Sequence, residues 1–343
     1  MAANGIDAKT QDTIVQNISS FALYGFPESH AASFALIAYA SAYFKVKYLA
    51  AFTAAILNNQ PMGFYSAAVL VKDAQRHGLR VKPIDVQVSD WPCTVEHESD
   101  GMLSLRVGLG YARGLKKQTT DVLIASRRSN GPFLSVEDLA LRVPSLNSRE
   151  LTRLAQIGAL NQFDGIRHRR DALWQVERAG KLEGPLFRQD SETLCEDSNA
   201  LPLQQMNVEE RLVADYAGTG LTIGKHPMYY RRPGLRRSNV LSAQDLRNCR
   251  DGEFVRVAGC IIARQRPGTA KGFIFISMED ETGIANVIVT PDLYDRDRLV
   301  VTRSRFLLAE GPLQNQDNVI HVKATRLTSL AHACLDVLSH DFH

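Results

Sequence analysis

The first part of the chain repeats apolar and polar positions with the spacing of helices. A polar helix is predicted over residues 1–20, and the stretch 31–58, rich in alanine, leucine and aromatic residues, predicts one or two helices packed on several sides. A further helix ends at Gly78, where a glycine suits the helix C-terminus. These elements predict a helical segment over residues 1–78, followed by an extended connector over 79–103.

Two helix pairs are predicted in the middle of the chain. The helices fall near residues 118–128, 135–143 and 148–157, with a short strand and a turn containing Gly114 before the first of them. A glycine-containing turn that leads into a helix exposes backbone N–H groups next to the positive end of the helix dipole. Such a turn binds a phosphate without reading bases, so residues 104–165 are predicted to be tandem helix-hairpin-helix modules.

Cations at this turn favour contact with a DNA backbone. Lys116 and Lys117 stand where the turn enters the helix, and Arg127 and Arg128 close the same helix. Residues 104–178 hold thirteen Lys and Arg against seven Asp and Glu, whereas the whole chain has a net charge of only +3. Lys116 occupies the place of the usual second turn glycine, which weakens the motif. The alternative, a structural hairpin with solvated lysines, stays open.

The last third of the chain changes to the two-residue alternation of strands. Runs of β-branched and aromatic residues alternate with a basic loop over 264–272 and a tight turn over 280–283. The predicted elements are strands over 254–263, 272–278, 284–289, 306–310 and 319–324 and a helix over 291–302. Their order predicts a Greek-key β-barrel of the OB-fold type over residues 239–343, which holds oligonucleotides on its second and third strands and first loop. Residues 166–238 are predicted to be a linker with helices.

The basic loop and the second strand supply candidate contacts to single-stranded nucleic acid. Arg264, Arg266 and Lys271 are expected to neutralise phosphates, on a loop whose glycines allow a ligand to approach. Phe273 and Phe275 are two residues apart, so they share one face of a strand, where bases stack if that face is open. The alternative, in which both rings point into the barrel core, stays open.

Composition and cysteine spacing narrow the classes of protein further. The chain is 45% hydrophobic and 22% charged, which is typical of globular proteins, and no apolar run is long enough to span a bilayer. No signal-peptide pattern is recognised. The five cysteines are far apart and form no Cys-x-x-Cys pair, so a zinc site is not expected, and their odd number favours reduced thiols in a cytoplasm.

Three stretches carry a resemblance to a known family. Residues 24–65, with Pro-Glu-Ser-His at 27–30, resemble the fingers of bacterial C-family DNA polymerases. They are most similar to the damage-inducible error-prone type, a paralogue of the DNA polymerase III alpha subunit. Residues 264–283 resemble the OB domain of the same family, and Asp-Phe-His at 341–343 resembles its C-terminus. The resemblance implies a multidomain α+β fold with a helical fingers segment, tandem helix-hairpin-helix modules and a C-terminal OB-fold β-barrel.

The resemblance also implies roles for these parts. The family adds nucleotides to DNA under template direction, and its error-prone type acts in damage-induced mutagenesis and translesion DNA synthesis. Ser29 and His30 match the fingers motif that helps to hold the incoming nucleotide, with a capping serine and a packed histidine as the alternative. The helix-hairpin-helix region is implied to grip primer-template duplex, and the barrel to lie near single-stranded template. The implied protein partners are a Y-family-like accessory mutagenesis protein and, through it, the sliding clamp.

The catalytic palm of this family is expected to lie outside the sequence. The palm carries three metal-binding aspartates, and two-metal phosphoryl transfer needs such carboxylates close to the reacting oxygens. Asp295 and Asp297 lie in a predicted helix or loop and do not replace them. Catalytic residues are therefore not expected here, Mg²⁺ is expected only in the full-length polymerase, and this chain is expected to be inactive alone. We expect a C-terminal fragment, a split-gene product or a truncated reading frame.

Two other functions remain open at this point. The first is a non-catalytic, single-stranded nucleic-acid-binding protein with OB and helix-hairpin-helix domains, retained after gene breakage. The second is an RNA-binding OB protein, because tRNA anticodon-binding barrels share an Arg…Gly-Lys…Phe…Asp-x-Thr-Gly pattern. The fingers-like segment counts against the RNA-binding function, since an anticodon domain has no use for it.

Overall fold

The structure is a computed structural model, and its backbone contacts divide the chain into two compact units. The first unit comprises residues 1–52 and the second residues 53–343. The residues that the structure describes are 5–23, 28–63, 65–179, 204–317, 319–330 and 340–342. Within these ranges, every helix is too short or too polar to cross a bilayer.

The first unit is helical. Its helices are α1 (Ala8–Leu23), α2 (Glu28–Lys47) and the beginning of α3 (Leu49–Asn58). The sequence predicts that α2 is packed on several sides, but Leu36, Tyr39 and Val46 are 70%, 74% and 77% exposed. Apolar residues recur around the whole circumference of α2, so a single packed face cannot bury all of them.

The second unit continues with a helix and a small sheet. These elements are α4 (Ala67–Arg76), β1 (Arg80–Lys82), β2 (Thr94–His97) and β3 (Leu103–Arg106). The strand order is β1-β3-β2, with β1 parallel and β2 antiparallel to β3. This corrects the extended connector predicted over 79–103. Two of its segments pair with β3, whose Leu105 is fully buried, and the pairing satisfies their backbone hydrogen bonds.

Five helices follow, and the first three match the predicted hairpin helices. They are α5 (Lys117–Asn130), α6 (Val136–Arg142), α7 (Ser148–Gln156), α8 (Arg169–Ala179) and α9 (Val208–Thr219). Asn147 and Asn207 form capping boxes at the starts of α7 and α9. Because α8 packs against α6 and α7, the helical domain continues past the predicted boundary at 165 into the supposed linker over 166–238.

The helix α10 (Pro227–Arg237) is not predicted by the sequence. Pro233 and Gly234 lie inside it, and both residue types disfavour helix interiors. Tertiary packing overrides this local preference, because Met228 is fully buried and the side chain of Arg232 is only 7% exposed. The segment therefore docks as a helix instead of continuing as linker.

The C-terminal domain is the predicted OB-fold. Its elements are β4 (Phe254–Gln265), β5 (Ile274–Glu279), β6 (Ile284–Val289), α11 (Pro291–Arg303), β7 (Phe306–Gln316), β8 (Val319–Lys323), β9 (Arg326–Ser329) and β10 (His340–Phe342). Strands β4-β5-β6-β8-β7 form a ring that the pairing of β4 with β7 closes, and β6 runs parallel to β8. Ile276, Leu307 and Val322 lie in its core. At the crossing of β7 and β8, a Cβ on Gly311 would lie 2.0 Å from the Lys323 carbonyl oxygen, so only glycine fits.

Candidate nucleic-acid interface

The first candidate contact is the turn that leads into α5. Gly114 has φ +88°, a conformation that favours glycine, and the exposed residues Lys116 and Lys117 follow as N-cap and first helical residue. The Lys116 N–H donates to Glu150 Oε1 at 3.1 Å. The next N–H groups have no acceptor inside the helix, as at any helix N-terminus. The turn therefore offers two cations and first-turn N–H groups to a phosphate.

The two arginines at the end of α5 have different environments. The Arg127 side chain is 9% exposed. Its guanidinium donates to the carbonyl oxygens of Val86 at 3.0 Å and Ser89 at 2.7 Å, and to Asp90 Oδ1 at 2.8 Å. These bonds hold the turn over residues 86–90 in place, which corrects the prediction that Arg127 contacts DNA. Arg128 is 68% exposed and lies 3.4 Å from Asp90, so it remains a candidate.

The arginines of the basic loop differ in the same way. The guanidinium of Arg264 donates to the carbonyl oxygens of Val301, at 2.7 Å, and Ser304, at the end of α11. This corrects its predicted role, because its N–H groups hold the barrel helix. Arg266 is exposed, and its guanidinium carbon lies 4.7 Å from the centre of the Tyr294 ring, a cation–π contact that orders the side chain.

The far end of the basic loop turns sharply into β5. Lys271 has φ +48° and Gly272 has φ +84°, so two successive residues adopt the left-handed conformation. The conformation is uncommon for a lysine and is the cost of reversing the chain here. The Lys271 side chain is exposed at this reversal, beside the first residues of β5.

The alternation of β5 decides the orientation of Phe275. Ile274, Ile276 and Met278 are buried in the barrel, whereas Phe275 is 39% exposed and lies on the outward face. Phe273, directly before the strand, is half-buried. The outward face of β5 therefore carries an accessible aromatic ring.

Two rows of outward side chains cross the barrel from this strand. The first row is Phe275, Ile288 and Lys323, and the second is Ser277, Asn286, His321 and Gln314. In the second row the side chains hydrogen-bond in pairs, Ser277 with Asn286 at 3.0 Å and His321 with Gln314 at 2.8 Å. We call these two rows the open face. It combines a ring for stacking, a cation for phosphate, and polar groups that match base edges.

Lys323 and His321 are residues of the open face that the sequence candidates omit. Val322 is fully buried and Lys323 is exposed, so β8 shows the two-residue alternation that would have placed both omitted residues outward. The pattern alone does not reveal which strand lies beside β8. Its parallel pairing with β6 places Lys323 next to Ile288 and hence near Phe275.

The open face ends at Glu279, two residues beyond Ser277. Glu279 is buried, accepts a hydrogen bond from Arg76 Nη1 of α4 at 2.8 Å, and lies 3.8 Å from His226 Nε2. Burial raises the pKa of Glu279 to about 7, against the opposing effect of Arg76. Burial likewise lowers the pKa of the neighbouring Lys72 to about 8. The helical domain therefore covers this end of the barrel face.

Ser29 and His30 lie in the first unit, in the first turn of α2. The helix begins at Glu28, so Ser29 is its second residue instead of the predicted cap. The exposed His30 ring contacts Phe34 edge-on, with ring centres 4.5 Å apart. A nucleotide-binding role for Ser29 and His30 stays a prediction.

Across the described ranges, no three His, Cys, Asp or Glu side chains come together in a group that could hold a metal ion. Asp295 and Asp297 lie on α11, and Asp297 accepts a hydrogen bond from Arg296 at 3.0 Å. These residues do not provide the carboxylate cluster that two-metal catalysis requires.

Two family models match the two domains that carry the candidate contacts. Residues 78–172 match a model described as a helix-hairpin-helix motif, and residues 255–330 match one described as an OB-fold nucleic acid binding domain. The first match begins before the predicted boundary at 104 and includes the small sheet. Both domains therefore belong to nucleic-acid-binding types.

Similarity to curated proteins extends over the whole chain. It is 43% identical to the error-prone DNA polymerase of Alkalilimnicola ehrlichii, covering 100% of this chain and 33% of that protein. The protein of the same name from Pseudomonas syringae pv. tomato gives the same identity and coverage. Among solved structures, asparaginyl-tRNA synthetase from Pyrococcus horikoshii is 22% identical to this chain, over 26% of this chain and 22% of the synthetase. The TM-score of this match is 0.22, which is too low to indicate a shared fold. The chain spans about a third of the length of the curated relatives it matches, and it belongs to the error-prone DNA polymerase family through the C-terminal third of those proteins.

Proposed function

We propose that this chain is the DNA-binding C-terminal portion of an error-prone DNA polymerase that acts in translesion synthesis during damage-induced mutagenesis. The observation that carries the proposal is the open face, where Phe275 and Lys323 lie in one row on either side of Ile288. Arg266 and Lys271 are exposed on the loop that adjoins it. The family of the whole chain and the types of its two domains support the same function.

The two domains would bind different forms of DNA. The turn before α5 offers N–H groups and the side chains of Lys116 and Lys117, with Arg128 exposed at the far end of the helix. These groups contact phosphates without reading bases, which suits primer-template duplex. The open face offers a ring and polar side chains, which suit the exposed bases of a single-stranded template.

Catalysis would depend on a carboxylate cluster that the described residues of this chain do not form. Nucleotide addition with Mg²⁺ needs a palm-like cluster, so we propose that the chain does not extend primers alone. Ser29 and His30 would contact the incoming nucleotide in the whole enzyme. Delivery to the sliding clamp through a Y-family-like accessory protein in the cytoplasm is part of the same proposal.

The single-strand site is tested by a triple substitution with a charge-matched control. Arg266, Lys271 and Lys323 are changed together to Ala, and affinity for labelled oligo(dT) is measured by fluorescence anisotropy over a salt series. If all three contact phosphates, the slope of log K against log salt should fall by about 2, since each phosphate contact on a single strand contributes about 0.7.

The control changes Arg247, Arg250 and Arg326 to Ala, which are exposed cations of the same domain that belong neither to the two rows of the open face nor to the basic loop. It alters net charge equally, so it should change the slope much less. An unchanged slope in the first variant, or the same loss in both, would remove the open face from the site.

A second function is kept because the barrel matches a nucleic-acid-binding family without regard to polymerase chemistry. A stand-alone single-stranded nucleic-acid-binding protein would bind RNA and DNA of one sequence equally well and would not stimulate any polymerase. Competition between matched DNA and RNA oligonucleotides, together with primer extension with and without the remaining two-thirds of a relative, separates the two functions. Restored extension supports the polymerase portion, and its absence together with tight RNA binding supports the second function.

A further inference from the structure

The α10 helix lies in a stretch with cations and no carboxylates. Between Asp215 and Asp245 the sequence contains no aspartate or glutamate. The same interval contains five cations: Lys225, Arg231, Arg232, Arg236 and Arg237. The nucleic-acid contacts described above use none of them.

One of these cations anchors the helix. Arg232 is 7% exposed and forms ion pairs with Asp280, at 2.9 Å, and with Glu281. Both carboxylates belong to the turn between β5 and β6, so Arg232 fixes α10 against the barrel. The pairing also neutralises both of these carboxylates.

The solvent side of α10 combines rings with free cations. Tyr229 and Tyr230 are 47% and 42% exposed, with ring centres 5.5 Å apart and planes at 87°. Lys225 Nζ lies 5.1 Å from the Tyr229 ring. Arg236 and Arg237 are exposed at the end of the helix, and within the described part of the chain neither they nor Lys225 forms an ion pair. We call these five residues the α10 patch.

The α10 patch adjoins the covered end of the open face. His226, the N-cap of α10, lies 3.8 Å from Glu279, the residue at which the open face stops. Glu279 follows Phe275 by four positions on β5, which is about 13 Å along a strand. Lys225 directly precedes His226 in the chain. A polynucleotide that leaves the open face in this direction therefore meets the α10 patch next.

We propose that the α10 patch binds single-stranded nucleic acid and lengthens the binding track that begins at Phe275. The inference rests on the proposed function, since it assumes that the open face holds a strand. Exposed tyrosine rings stack with bases of any sequence, and exposed cations that form no ion pair with the described residues attract phosphates. The chemistry fits a flexible single strand, whose bases are free to reach the rings.

Oligonucleotide length separates the α10 patch from the open face. The full chain is titrated with fluorescein-labelled oligo(dT) of about 6 and about 20 nucleotides, one near the lower end of the usual site of one OB-fold and one longer than that site. Changing both Tyr229 and Tyr230 to Ala should weaken binding of the longer strand by about tenfold or more, as expected for lost stacking, and leave the shorter one unchanged. The Tyr→Phe pair keeps the rings and should bind like the wild type.

A matched control and the wild type make the outcome decisive. Trp174 is 45% exposed on α8, which belongs to neither the open face nor the α10 patch, so Trp174→Ala should leave both affinities unchanged. Wild-type chain that binds neither oligonucleotide would overturn the proposed function itself. Wild-type binding to both, with the Tyr→Ala pair behaving like the wild type or losing both equally, would overturn the α10 patch alone.

Discussion

Changing Arg127 to Ala should destabilise the protein and leave its DNA contacts intact. The guanidinium donates to the carbonyls of Val86 and Ser89, both buried residues, and to the carboxylate of Asp90. A hydrogen bond from a charged donor contributes about 1.5–3 kcal/mol, and a buried acceptor left without a partner carries a further penalty. Two such carbonyls lose their donor, so we expect a loss of about 3–5 kcal/mol. Arg127→Lys should lose nearly as much, since one ammonium cannot replace the planar fork.

The neighbouring Arg128 is the matched control. Its side chain is 68% exposed, so Arg128→Ala should change the free energy of unfolding by less than about 0.5 kcal/mol. Urea unfolding followed by circular dichroism measures both changes. Duplex binding over a salt series should show the opposite ranking of the two variants. The slope of log K against log salt should become smaller by about 0.9 for Arg128→Ala and stay unchanged for Arg127→Ala. An Arg127→Ala protein of wild-type stability, or one with the reduced slope, would refute this assignment.

Three more predictions concern the barrel. Gly311→Ala should lower the free energy of unfolding by at least about 2 kcal/mol, because the new Cβ meets the Lys323 carbonyl oxygen. Gly234→Ala is the control and should change this free energy by less than about 1 kcal/mol, because no atom lies within 4 Å of the new Cβ. Equal urea midpoints for the two variants would contradict this prediction. Burial raises the pKa of Glu279 from 4.5 to about 7, so about 3 kcal/mol of stability should be lost as pH rises through this window. Glu279→Gln should therefore flatten the change in Tm between about pH 5 and about pH 8, and an unaltered pH profile would show that the carboxyl does not titrate there. Arg264→Ala should lower Tm, because two carbonyls at the end of α11 lose their donor, without changing the salt slope for oligo(dT), and a reduced slope would return this residue to the interface.

The barrel shows how far local pattern extends. The alternation of Ile274, Ile276 and Met278 with Phe275 marks a strand with one buried face, and the structure has that strand and that face. The alternation alone could not tell whether the ring of Phe275 points into the core or outward. An aromatic side chain is compatible with either orientation until the neighbouring strands are placed. The closed barrel, in which β4 pairs with β7, decided it. The pairing of β8 with β6 placed Lys323 in the same row as Phe275, with Ile288 between them.

The arginines show where local pattern stops. Arg127 and Arg128 are adjacent, and Arg264 and Arg266 are two positions apart. Within each pair the side chains are chemically identical. The sequence predicted the hairpin helices, the barrel strands and the positive charge, because these patterns depend on residues a few places apart, whereas α10 and the small sheet depend on tertiary packing. In each pair, one guanidinium donates to backbone carbonyls and the other stays in water. The choice depends on the turn over 86–90 and on the end of α11, segments that only the fold brings close. Hydrogen bonding to such distant carbonyls is a property of the tertiary structure, and so is the exposure of the neighbouring guanidinium to solvent.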